Sequence, residues 1–270
     1  MTPRSRRSFL GAVAALGFTP MPSRAAVTHT YAEPRRGVRP RIDVVCPPEP
    51  RGAVLLVHGG AFLLGSRQMP SMERCAAALC EEGLVALALD YRLVGRGGGF
   101  DASLDDVVVA MDWWRRRAAA HGADPDRLGL MGLSAGAALA AVAAAEGGAS
   151  AWVGFYGPYD FTRLPGTPLV QAPTRWLLGT DEPAELRRRS PLARCTSSAP
   201  ALLFHGTRDR LVPIHHSHAL VAARASAGLP TELVAVDHRH GFLQRRRHPL
   251  AVAAMDRAVG FLSDHVGGPS

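Results

Sequence analysis

Leu128-Gly129-Leu130-Met131-Gly132-Leu133-Ser134-Ala135-Gly136-Ala137-Ala138-Leu139 is the stretch from which the rest of the chain can be read. Its first six residues make an apolar run of strand length, and from Ala135 an alanine-rich helical pattern continues to Glu146. Where strand passes into helix stands Gly132-Leu133-Ser134-Ala135-Gly136, a G-x-S-x-G. A serine on so sharp a turn is held in a strained backbone conformation, so the residues two before and two after it must be small, and glycine fills both places. The turn exposes the hydroxyl and sets it at the positive end of the following helix, where developing negative charge is favoured. Ser134 is therefore the candidate nucleophile.

On either side of this stretch, short apolar runs alternate with longer helical patterns. Strands are expected at 53–57, 85–91, 128–133, 152–156, 201–205 and 233–236, with two weaker ones at 27–31 and 41–45 forming an antiparallel start. Helices are expected at 71–82, 103–120, 135–146, 214–227 and 250–265, with Asp101 or Ser103 capping the second and Gly122 following its end. This alternation predicts an α/β fold: a mainly parallel eight-stranded sheet with helices on both faces. Residues 157–190 fit neither pattern, because Pro158, Pro165, Pro168 and Pro173 interrupt them, and a small lid above the strand ends is expected there. Residues 26–270 read as one domain.

A serine hydroxyl is a weak nucleophile, so an imidazole must take its proton and a buried carboxylate must fix that imidazole. Asp209 follows the 201–205 strand in His205-Gly206-Thr207-Arg208-Asp209, and His240 follows the last strand in His238-Arg239-His240-Gly241-Phe242. Both lie at strand ends, in the chain order Ser, Asp, His; Asp237 and His238 are local competitors. The loop His58-Gly59-Gly60-Ala61-Phe62 follows the 53–57 strand and offers backbone rather than side chains. Without Cβ atoms to block a carbonyl, amides of Gly59 and Gly60 with that of Ala135 can converge on an oxyanion. His58 itself reads as structural, turned into the loop.

Composition narrows the remaining classes. The chain has 270 residues, 47% hydrophobic and 20% charged, with four cysteines, which excludes a disordered, collagen-like or cysteine-stapled protein. Residues 1–25 carry basic residues, an apolar run from Phe9 to Phe18 and the small-residue site Ser23-Arg24-Ala25, the layout of an export signal. The run is shorter than the roughly 20 residues a bilayer core requires. Ser5-Arg6-Arg7-Ser8-Phe9-Leu10 resembles the twin-arginine signature, with a general secretory signal as the alternative. Export predicts a transient contact with the twin-arginine machinery and a soluble mature protein in the periplasm or outside the cell. Removing Arg4, Arg6, Arg7 and Arg24 takes the 31 cations to 27 against 23 acids, so the formal +8 falls to +4. The runs Arg187-Arg188-Arg189 and Arg245-Arg246-Arg247 are isolated and lack interleaved aromatics, so they read as solvated charge and no nucleic-acid partner is expected.

An oxidising compartment permits disulfides, but Cys75 and Cys80 fall five apart on one expected helix and point in different directions. Buried free thiols are the alternative. His215 and His218 are three apart on a helix, yet they lack an acidic or cysteine partner at ligand spacing and read as a solvated helix start, so no metal or other cofactor is expected.

Taken together, these motifs resemble the α/β-hydrolase superfamily and, within it, compact esterases and lipases with an H-G-G motif. The likeness runs over nearly all of residues 40–265. Asp90-Tyr91-Arg92-Leu93, Ser190-Pro191 and Val212-Pro213 also resemble recurring segments of that family. The resemblance implies Ser134 as nucleophile, Asp209 as acid, His240 as base, and an oxyanion hole from Gly59, Gly60 and Ala135. Ala61 stands where many relatives carry a third glycine. About 30 mature residues precede His58, too few for the large N-terminal cap of the hormone-sensitive-lipase branch, so the likeness is to capless or small-lid enzymes such as acetyl and feruloyl esterases and arylformamidases. The expected activity is hydrolysis of small carboxylic esters through an acyl-enzyme. An amidase or peptidase using the same triad, and a relative that only binds its ligand, are the alternatives.

Overall fold

Eight strands form a single sheet in the order β1-β2-β4-β3-β5-β6-β7-β8 in the computed structural model, which describes residues 25–34, 39–164, 177–245 and 247–267. They are β1 (Val27–Thr30), β2 (Arg41–Val45), β3 (Gly52–Val57), β4 (Leu84–Leu89), β5 (Leu128–Leu133), β6 (Ala151–Phe155), β7 (Ala201–Gly206) and β8 (Thr231–Val236). β1 pairs antiparallel with β2 and β2 antiparallel with β4, whereas every pairing from β4 through to β8 is parallel. The expected export signal (1–25) lies outside the described residues except for Ala25, as do residues 165–176 of the expected lid.

Each residue of β3, β4, β5 and β6 is buried, because both faces of the sheet are covered. One face carries α2 (Phe100–Arg115) and α3 (Ala135–Glu146), the other α1 (Pro70–Glu81). α3 is apolar all round and its residues Ala135 to Ala144 are buried, as a helix sandwiched between the sheet and α2 must be. Beyond β6 the described chain adds two short helices, α4 (Pro183–Arg189) and α5 (Pro191–Arg194), then α6 (His215–Ser226) and α7 (Pro249–Val266). α7 joins α1 on its face of the sheet. Among the described residues no helix is long and apolar enough to cross a membrane.

Two local expectations are corrected. α2 ends at Arg115 rather than near 120: the Arg117 amide bonds back three residues to Trp114 O (2.7 Å), and a 3-10 turn over Ala118–His121 closes on Gly122 at φ +72°. Neither Asp101 nor Ser103 caps that helix. The cap position is Gly99; the Ser103 hydroxyl lies 2.7 Å from Gly99 O and 2.8 Å from Arg92 O, and Asp101 faces Arg189 and Arg194 at 3.4 and 3.9 Å. Cys75 and Cys195 are buried thiols, and burial pushes Cys75 up to about 12.

One buried side chain had no sequence signal. Arg224 on α6 is 1% exposed and, among the described residues, has no carboxylate partner. Its guanidinium donates to Ser197 O (3.0 Å), Ala199 O (2.8 Å), Pro230 O (3.2 Å) and Thr231 Oγ1 (2.6 Å). These acceptors lie where the chain enters β7 and β8, so one cation ties together the starts of the two strands that deliver Asp209 and His240 at their other ends. Truncation strands several buried carbonyls at once. Arg224→Met is expected to lower the unfolding free energy by about 3–5 kcal/mol in urea titration; a loss below about 1 kcal/mol would show that the strand starts hold without it.

Candidate active site

The serine turn is as strained as its sequence requires. Ser134 sits at φ +53°, ψ −118°, between the last residue of β5 and the first of α3. A Cβ on Gly132 would lie 2.2 Å from Gly136 O, and one on Gly136 only 2.1 Å from Val57 O. Both contacts are with backbone, which cannot swing aside, so the two glycines let α3 start directly against β3 and β5. Gly136→Ala is expected to cost about 1–3 kcal/mol and to slow modification of Ser134 by an organophosphate, read by thermal melts beside labelling rates; wild-type values for both would refute the tight approach.

β7 and β8 bring the other two side chains to the same edge of the sheet. The His240 Nδ1–H donates to Asp209 Oδ2 (2.6 Å), which leaves Nε2 as the lone-pair nitrogen 3.0 Å from the Ser134 hydroxyl. The Asp209 side chain is fully buried, and its Oδ1 accepts the amides of Leu211 (3.0 Å) and Val212 (2.9 Å). Burial acts to raise its pKa, but hydrogen bonds from His205, His240 and the Val212 amide outweigh it and hold the carboxyl well below its usual range. The competitors are elsewhere. Asp237 is largely exposed and pairs with Arg208, while the His238 Nδ1 accepts its neighbour's amide.

The Gly59-Gly60 loop lies against the serine turn: a Cβ on Gly59 would come within 2.8 Å of Leu133 O and 3.2 Å of the Ser134 Cβ. Among the described residues, none accepts a hydrogen bond from the amides of Gly59, Gly60 or Ala135. Left-handed backbone continues past Gly60 (φ +124°) into Ala61 (+52°) and Phe62 (+60°), so Ala61 adopts the conformation in which a glycine would be unstrained. His58 is buried beneath the loop, with Nδ1 donating to Gly59 O (2.8 Å) and its ring stacked 4.2 Å from Tyr91, and it makes no hydrogen bond to Ser134. The Tyr91 hydroxyl donates to His58 O (2.9 Å); the Arg67 guanidinium, 2.9 Å from Asp43 and 2.5 Å from Asp90, ties the end of the loop to β2 and β4. Asp90 and Tyr91 are thus a scaffold for the loop, while Arg92 pairs with Asp106 on α2.

The histidines on α6 separate. His218 is exposed, while His215 stacks 4.6 Å from the buried His216, whose Nδ1 accepts the Asp160 amide (3.1 Å). Of the two isolated arginine runs, Arg245 and Arg247 line a cavity of about 890 Å3 with Arg74, His248 and Pro249, and none of Ser134, Asp209 and His240 lines it.

Burial pushes the His216 pKa down to about 4, so the fold accommodates the neutral ring. The unfolded chain binds this proton first. The stability lost is therefore nil above about pH 6.5 and grows toward pH 4, reaching about 3 kcal/mol. Urea unfolding at pH 7 and pH 4.5 is expected to show a smaller difference in His216→Asn than in wild type, and equal slopes would remove His216 from the account.

A Gly-flanked serine between strand and helix, backed by an imidazole and a buried carboxylate from later strands of an eight-stranded sheet, defines an α/β-hydrolase. The chain belongs to the BD-FAE family, which it matches over residues 42–223. Esterase LipQ of Mycobacterium tuberculosis is 30% identical over 208 residues, 68% of this chain and 48% of the relative. Isoprenylcysteine alpha-carbonyl methylesterase ICME of Arabidopsis thaliana is 28% identical over 225 residues, 73% of this chain and 52% of its own length. The chain spans about half the length of these curated relatives. Among solved structures, esterase 2 of Thermogutta terrifontis phosphonylated by sarin superposes with a TM-score of 0.79 at 25% identity, covering 93% of this chain and 99% of that one. The propionate-bound form of the same enzyme gives 0.74 at 26% identity, covering 91% and 96%.

Proposed function

We propose that this chain is a serine carboxylesterase that hydrolyses small carboxylic esters. The observation that carries the reading is the continuous line from the Ser134 hydroxyl through His240 to Asp209, beside three backbone amides that have no acceptor among the described residues. His240 Nε2 takes the hydroxyl proton as Ser134 Oγ attacks the acyl carbon. The oxyanion that forms is received by the amides of Gly59, Gly60 and Ala135, each worth about 2.7–4 kcal/mol of barrier. The imidazolium, stabilised by Asp209, returns the proton to the leaving alkoxide; water then repeats the sequence on the acyl-enzyme. No cofactor enters these steps. The similar Thermogutta esterase, whose structures include propionate-bound and butyrate-bound forms, supports a short acyl group.

The amino-terminal Ser5-Arg6-Arg7-Ser8-Phe9-Leu10 adds to the proposal that the enzyme works after twin-arginine export, in the periplasm or beyond it.

Hydrolysis of p-nitrophenyl esters from acetate to decanoate tests the reading. Ser134→Ala is expected to lower kcat by roughly 10^4–10^6-fold, and an organophosphate label is expected on the Ser134 peptide by mass spectrometry. Turnover that survives the substitution, or a label on another residue, would overturn it. Amides cleaved faster than the matching esters would make the enzyme an amidase.

A further inference from the structure

We propose that His205, oriented by Ser217, is a positioning residue for Asp209. This rests on the reading of Ser134, His240 and Asp209 as the catalytic line. The Asp209 Oδ2 that receives the His240 Nδ1–H at 2.6 Å also has the His205 Nε2 3.5 Å away, and both the His205 and Asp209 side chains are fully buried.

The tautomer of His205 follows from its neighbours. Nε2 lies 2.7 Å from Val212 O, which can only accept, so Nε2 carries the proton. Nδ1 is then a lone pair, and the buried Ser217 hydroxyl, 2.7 Å away, donates to it. The Val212 peptide is held at both ends as a result: its amide donates to Asp209 Oδ1 (2.9 Å) and its carbonyl accepts from His205. One imidazole on β7 therefore closes the turn from Asp209 to Val212 and presents an N–H toward the acid.

A neutral donor suits this place. A lysine or arginine would set a full charge against Asp209 and compete with the imidazolium it must stabilise. An apolar residue would leave Val212 O buried and unpaired. The groups packed nearby add little positive charge: His216 on α6 is held neutral by burial, and Asp160 faces it opposite His215 and Arg163. Val212 O fixes the proton on Nε2, and the Ser217 hydroxyl, donating to Nδ1, holds the ring in that tautomer and orientation.

Ser217→Ala removes the donor to Nδ1 while leaving every residue of the catalytic line in place. The expected result is a fall in kcat of roughly tenfold, the size seen when outer-shell partners of functional groups are removed, with KM unchanged. The low-field proton resonance of the His240–Asp209 hydrogen bond is expected to weaken or move upfield. Ser217→Thr, which restores the hydroxyl, is expected to recover both. A Ser217→Ala protein that melts earlier yet keeps wild-type kcat and an unaltered low-field proton would show a structural role alone and overturn the proposal. The proton signal is read without substrate. Failure of the wild type to hydrolyse any ester would therefore sink the esterase reading, and the resonance would still decide the role of His205.

Discussion

The contact on which the rest of the structure depends is the approach of α3 to the backbone of β3. Gly136 has no room for a methyl group against Val57 O and His58 O, and Gly132 has none against Gly136. That closeness lets β5 turn into α3 at a single residue, which is what forces Ser134 to φ +53°. A positive φ at a residue bearing a side chain costs about 1–3 kcal/mol, and the buried packing of α3 between sheet and α2 offsets it. The same contact fixes the Gly59-Gly60 loop, because His58 follows Val57 directly and its carbonyl lies over the helix start.

From that contact the geometry of the sheet does the remaining assembly. β3, β5, β7 and β8 run parallel, so their C-terminal ends share one edge, and the loops leaving them carry Gly59, Ser134, Asp209 and His240 to a common point. Residues 106 positions apart in the chain meet at 3.0 Å. Strand placement alone is too coarse for such distances. The last ångström comes from buried polar side chains that fix loops and strand ends: Arg224 below β7 and β8, His205 and Ser217 beside Asp209, and Arg67 with Tyr91 behind the Gly59-Gly60 loop.

These supports share a physical character. Each is a buried donor satisfied by protein acceptors, which are carbonyls, carboxylates, the Thr231 hydroxyl or the His205 imidazole, so each is strong where it stands and costly to truncate. The electrostatic balance of the site follows. N–H groups around the buried Asp209 hold its carboxyl well below the usual range, while burial lowers the pKa of His58 and His216 and favours their neutral rings.

The serine turn, the glycine loop, the order Ser, Asp, His and the alternation of strands with helices were legible in the sequence, because each depends on neighbours a few residues away: a glycine beside a strained serine, or an apolar run of strand length. Asp209 and His240 were legible as strand-end residues, but their preference over Asp237 and His238 became geometric only when burial and distance separated them. Arg224, His205 and Ser217 gave no signal, since an arginine on a helix or a histidine at a strand end has no local pattern that marks it as buried. The end of α2 was misread for a related reason: alanines at 118–120 favour a helix, whereas the bond pattern after the buried Trp114 tightens into a 3-10 turn. The sequence by itself determined the fold class and marked Ser134, Asp209 and His240 as candidates at strand ends, since both follow from local sterics and periodicity. Only the tertiary structure decided which polar groups hold those side chains in place, because their partners come from distant segments and exist only once the sheet has formed.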